Sequence, residues 1–197
     1  MEFKIDTKGL EKQMKKLKNF PKSARKASAR AINRTLTFNN KRVSQLVRQN
    51  YNIKSGEVKG TIKLRRANPS NLSASIKSTG GRLSLSKFSR GSSSWKKGKS
   101  VRVKVKKSSN KTVNTTPKAF IANVGGNIHI AKRKGNSNFP IEVLHTLSVP
   151  QMISNSKVID VVNKEGKEYL ENRIKHEIEF EMSKIIKGWF ILLMLKY

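Results

Sequence analysis

Three histidines, His129, His145 and His176, are the first residues to test for chemistry, and they sit in unrelated segments. Glu142-x-x-His145 offers two kinds of metal ligand, but no third ligand stands beside them. His176-Glu177 lacks the second histidine, four residues after the first, that a helical zinc-peptidase motif requires. Metal-dependent nucleases hold Mg²⁺ with clustered carboxylates. Between Lys12 and Ile141 the chain has one carboxylate side chain, Glu57. Gly98-Lys99-Ser100 resembles the end of a phosphate-binding loop. That loop also needs a glycine at position 93, where Ser93 stands, and no apolar strand precedes it. The chain has no cysteine, which excludes a disulfide scaffold, a Cys-ligated zinc site, an iron–sulfur cluster and a thiol nucleophile. No enzymatic activity, cofactor or metal is therefore expected.

Positive charge is the chemistry that remains. The 197 residues hold 43 Lys and Arg against 12 Asp and Glu, a net charge of +31. From Lys12 to Ile141 there are 33 basic residues and one acid, whereas the rest of the chain has 10 basic residues and 11 acids. Like charge at that density repels itself in a compact fold, so a polyanion or an acidic partner is its expected use. The aromatics accompanying it are few: Tyr51, Phe88, Trp95 and Phe120. Single-strand binders stack bases on aromatic side chains, so the pattern fits phosphate contact without sequence reading. Arg42 to Arg66 also admits a helix-turn-helix, with Val43, Leu46 and Val47 before a turn at Asn50-Tyr51-Asn52. Its second helix, Ser55 to Ile62, would be short and would contain Gly56 and Gly60, which argues against it.

The elements that must carry these cations follow from periodicity. Hydrophobic residues make up 36% of the chain, which suits one domain with a modest core. Phe3-Lys4-Ile5 reads as a short strand. Thr7 is placed to cap a helix over about Lys8 to Asn19, with Leu10, Met14 and Leu17 on one face. Pro21 suits the first turn of a long second helix, about Lys22 to Gln49. Its apolar stripe runs through Ala24, Ala27, Ala31, Thr35 or Leu36, Phe38, Val43 and Leu46. The opposite face carries Arg25, Lys26, Arg30, Arg34, Lys41, Arg42 and Arg48. Ser55 to Val58 suits one helical turn.

The period then changes to two through Ile62 and Leu64, Leu72 to Ile76, Leu83 and Leu85, Val101 to Val105, Phe120 to Val124, and Ile128 and Ile130. That predicts an antiparallel sheet of five or six strands with one wet, basic face. Asn68-Pro69-Ser70-Asn71, Gly80-Gly81 and Gly125-Gly126-Asn127 are turn signals. Gly/Ser/Lys-rich stretches near 90–100 and 107–117 read as mobile loops. A last helix is expected over Ser156 to Lys187, with its mixed charges in ordinary exposed pairs. The fold class is α+β: N-terminal helices including one long helix, the sheet, and a C-terminal helix. Residues 1–187 read as a single domain and 188–197 as an apolar tail. The apolar run Trp189 to Leu195 is too short for a membrane span of about 20 residues. Met1-Glu2-Phe3-Lys4-Ile5-Asp6 has no apolar stretch to serve as a signal peptide.

Several stretches carry a family resemblance. They are Arg30-Ala31-Ile32-Asn33-Arg34-Thr35, Tyr51-Asn52-Ile53-Lys54, Ile62-Lys63-Leu64-Arg65-Arg66-Ala67, Asn71-Leu72-Ser73-Ala74, Gly80 to Phe88, and Ser148-Val149-Pro150-Gln151-Met152. In order and spacing they resemble the prophage minor tail protein Z family of long-tailed bacteriophages, over roughly Lys22 to Met152. The segment Leu10 to Ala31 is also similar to that of related tail completion proteins. The resemblance implies a non-enzymatic virion component that acts late in tail assembly near the head-proximal end. It implies other tail and neck proteins as partners, and a homo-oligomeric ring or multiple copies around the tail axis. It implies a location in the virion tail, with the host cytoplasm as the place of assembly. Trp189 to Tyr197 falls outside the resemblance.

Two functions follow from these readings. The first is a structural tail completion protein whose basic face meets double-stranded DNA without sequence preference, or acidic faces of neighbouring proteins. The alternative is a ribosome- or nucleoid-associated nucleic-acid-binding protein. The long alanine-striped helix followed by a sheet favours packing surfaces over base recognition, and so the first. Helix and strand spacing leaves Arg34, Arg42, Arg48, Lys63, Arg65 and Arg66 on polar faces, which makes them the expected polyanion or partner contacts.

Overall fold

A computed structural model describes residues 1–4, 21–90, 101–108 and 111–194. The expected first helix over Lys8 to Asn19 and most of the 90–100 loop lie outside the described residues. The alanine-striped segment forms α1, Pro21–Asn50, a 30-residue helix within one residue of the expected ends. Ala24, Ala27, Ala31, Leu36, Val43 and Leu46 are buried as their spacing requires. The final helix, Ser156–Met194, is 39 residues long and continues seven residues beyond the expected end at Lys187. Between them lie two five-residue helices, α2 over Ser55–Lys59 and α3 over Val149–Ile153, so the final helix is α4.

The chain is α+β, as expected, and its strands are distributed over three three-stranded sheets. The first has the order β1-β3-β2, from Glu2–Lys4, Ser75–Ser78 and Ile62–Arg65. The second has β5, Arg102–Lys104, between β4, Ser89–Arg90, and β6, Lys111–Thr112. The third is the meander β7, β8 and β9, over Phe120–Val124, Asn127–Arg133 and Ile141–Val143. Gly125 and Gly126 join β7 to β8 with φ of +58° and +78°. Two consecutive positive φ values are what a tight two-residue hairpin needs, and glycine adopts them without steric cost.

Leu83 and Leu85 are not in a strand, contrary to their alternation. Ser84 forms one isolated bridge to His145, and Leu85–Lys87 is a 3₁₀ turn whose start is capped by the Ser84 side chain. Serines offer local hydrogen bonds that compete with a sheet ladder. The helix-turn-helix is also absent, because α2 ends at Lys59 and β2 begins at Ile62.

The chain divides into two compact units. Unit 1 comprises Met1–Arg42, Lys63–Lys77 and Ile159–Tyr197, and unit 2 comprises Val43–Ile62 and Ser78–Val158. In unit 1, α1 and α4 run antiparallel. Rising numbers in one helix meet falling numbers in the other: Arg30 with Glu177, Phe38 with Tyr169, Arg42 with Glu165. The helices approach closely at Gly166, where a Cβ atom would lie 2.5 Å from Oδ1 of Asn39. In unit 2, Val58, Ile130, Val149, Met152 and Val158 are fully buried.

Candidate functional site

The described residues contain no group of three or more His, Asp or Glu side chains placed to hold a metal ion. His129 lies on β8 and His145 bridges Ser84, whereas His176 belongs to α4 of the other unit. Glu142 faces Lys132 at 3.5 Å, and Glu57 accepts a hydrogen bond from Lys87 at 2.7 Å. The carboxylates of unit 2 are thus engaged with lysines. The phosphate-loop resemblance at Gly98-Lys99-Ser100 lies outside the described residues.

The cations divide into those used inside the molecule and those left on its surface. In unit 1, Glu177 is only 3% exposed and is surrounded by arginines. It accepts from Arg30 Nε at 2.7 Å and from Arg173 at 2.9 Å, and it faces Arg34 Nε at 3.2 Å. Arg30 also bonds Glu181. Arg42 makes a bidentate contact with Glu165, at 2.5 and 2.6 Å. Burial pushes the Glu177 carboxyl up, but Arg30 and Arg173 outweigh it and hold the group below its usual range. The hydrogen bond from Arg42 likewise holds Glu165 below its usual range. Of the six residues named from sequence, Arg34 and Arg42 therefore face glutamates of α4. Lys63, Arg65 and Arg66 are exposed on and just after β2 in unit 1, and Arg48 is exposed in the last turns of α1 in unit 2.

Unit 2 carries 19 Lys and Arg against two acids, Glu57 and Glu142. Unit 1 carries 24 against 10. The surplus is thus greatest where the carboxylates are already paired. Tyr51 and Phe88 are buried, and Phe120 lies under the Arg133 guanidinium. Among the described residues of unit 2, Phe139 is 76% exposed, so the unit presents its cations with a single well-exposed aromatic rather than a row of stacking platforms.

The stretches that carry the resemblance prove to be joints of the fold. In Arg30 to Thr35, Ala31 and Ile32 are buried and Arg30 grips the glutamates. Asn33 exchanges two hydrogen bonds with the Ala67 backbone, at 2.8 and 2.9 Å, and so pins the end of Ile62 to Ala67 against α1. The buried Tyr51 bridges Lys106, and its hydroxyl accepts from Asn155 at 3.1 Å. Ser148 and Gln151 form a reciprocal cap on α3.

A model of the family described as prophage minor tail protein Z (GPZ) matches residues 7–188. The chain belongs to that family. No characterised protein and no solved structure gave a further match. The family is one of structural tail proteins, so this tail protein is not an enzyme, and its partners are other tail proteins. Among the described residues no helix is long and apolar enough to cross a membrane.

Proposed function

We propose that this tail protein completes the phage tail at its head-proximal end, late in assembly, as several copies arranged around the tail axis. It acts in the virion after assembly in the host cytoplasm. Its contacts are with neck and neighbouring tail proteins, and its surplus cations meet double-stranded DNA weakly and without sequence preference. The observation that carries this reading is the charge of unit 2, whose two carboxylates are already paired with lysines. Such a surface lowers its self-repulsion when a polyanion lies against it. The exposed Arg48, Lys63, Arg65 and Arg66 are the sequence-named residues free to make such contacts. Arg34 and Arg42 contribute through the α1–α4 pairing instead.

Gold labelling of an epitope-tagged copy in purified virions tests the position by electron microscopy. Label at the junction of head and tail is the expected result. Label at the distal tip, or none on intact particles, would refute it. A ribosome- or nucleoid-associated role would instead leave the protein with those fractions in cells without other tail proteins.

A further inference from the structure

We infer that the outward face of β5, with Arg102, Lys104 and the following Lys106, is a binding site for the sugar–phosphate backbone of duplex DNA. This rests on the reading that the surplus charge of this tail protein meets DNA. The strand is built to present cations rigidly. Val101 and Val103 are buried while Arg102 and Lys104 are exposed, and the alternation continues through the half-buried Val105 to the exposed Lys106. β5 is the central strand of its sheet, so its main-chain groups are engaged on both sides. Recognition must therefore come from its side chains. Past the strand, Asn52 donates its backbone N–H to Val105 at 2.9 Å, and Lys107 donates to Asn50 at 3.0 Å. These bonds tie the basic segment to the end of α1.

The face suits phosphates in three respects. Side chains two apart on a strand lie ~6.7 Å apart, so Arg102 and Lys104 on β5 can each reach a different phosphate of one DNA strand. Thr112, directly across from Arg102, is exposed and adds a neutral hydroxyl donor of the kind that contacts phosphate oxygens. The only two acids of this unit are held by Lys87 and Lys132, so neither competes for these cations. Arg102, Lys104, Lys106 and Thr112 would contact phosphate oxygens rather than base edges, which predicts affinity without sequence preference.

The test uses the full-length protein and fluorescence anisotropy with two labelled duplexes of unrelated sequence, over about 50 to 200 mM NaCl. The triple variant Arg102→Gln, Lys104→Gln, Lys106→Gln should lower the slope of log affinity against log salt by about 2.7, or 0.9 per phosphate contact. Lys104→Gln alone should lower it by about 0.9, which keeps the test intact if the triple variant folds poorly. Both duplexes should respond alike, and the melting temperature of a folded variant should not change. Unchanged affinity and slope in the variants, with the wild type bound, would overturn the β5 assignment while the DNA reading stands. No wild-type binding at about 50 mM salt would overturn both. A triple variant that keeps its DNA affinity but fails to complete tails would overturn the assignment and point to an acidic protein face.

Discussion

Replacing Glu177 with glutamine should destabilise unit 1 more than the loss of any exposed charge. The Glu177 carboxylate is 3% exposed and accepts from Arg30 and Arg173, with Arg34 at 3.2 Å. The substitution keeps the shape, removes the charge, and turns an amide N–H₂ toward donors. Removing one partner from a fully buried ion pair costs about 3–5 kcal/mol. The three arginines here are 35%, 56% and 19% exposed, so water solvates part of the charge left behind. Arg30 also keeps Glu181. The expected loss is therefore about 2–3 kcal/mol, or a fall in melting temperature of about 4–12 °C for a chain of this size. Thermal and urea unfolding by circular dichroism measure it. The same change also alters the acid response. The Glu177 and Glu165 carboxyls are held below the ordinary value of 4.5 in the folded state. Their stabilisation is thus present above the unfolded value and is lost as pH falls through the lower folded values. Stability of the wild type should decline below about pH 4.5, and that of Glu177→Gln should decline less steeply. A melting temperature within about 1 °C of wild type at pH 7, with an unchanged acid profile, would refute the clamp.

Other expectations follow from single contacts. Gly166→Ala gains about 1 kcal/mol in helix propensity but places a methyl group 2.5 Å from Oδ1, 2.7 Å from Nδ2 and 3.0 Å from Cγ of Asn39. The net loss should be about 1–2 kcal/mol alone and should vanish in an Asn39→Ala background; a stabilised single variant would contradict the close approach. Phe38 stacks on Tyr169 with centroids 4.3 Å apart, so Phe38→Asp should cost about 2–4 kcal/mol, and an unchanged denaturation midpoint would show that the stack contributes nothing. Ser148→Ala removes half of the reciprocal cap on α3 and should cost about 1 kcal/mol in urea unfolding, with Ser148→Thr nearly neutral.

Local patterns in the chain were enough to reveal α1, the 3.6-to-2 change of period before β2, the Gly125-Gly126 hairpin and the charge excess. Each of these rests on neighbours within a few residues. Helix faces repeat at 3.6 and strand faces at 2, and two glycines in a row permit a turn that other residues resist. The number of sheets was not legible in the same way. Alternation marks which residues face inward, but register and partner choice depend on packing across the whole chain. The serines around Leu83 and Leu85 kept the alternation while capping a 3₁₀ turn instead.

The roles of the cations were decided by the tertiary structure. Arg34, Arg42 and Arg48 look alike on one polar helix face, and the glutamates of the last helix look like ordinary exposed pairs. Arg30 and Glu177 are 147 residues apart, so nothing local links them. Antiparallel packing of α1 on α4 buries Glu177, and a buried carboxylate must find positive partners or lose its charge. That requirement gives Arg30 and Arg34 an internal role, and the same helix pairing brings Arg42 to Glu165. Composition set how much positive charge the protein carries. That Arg30, Arg34 and Arg42 are engaged inside unit 1 was settled by the packing of α4 against α1, because an ion pair depends on distance in space and not on distance along the chain.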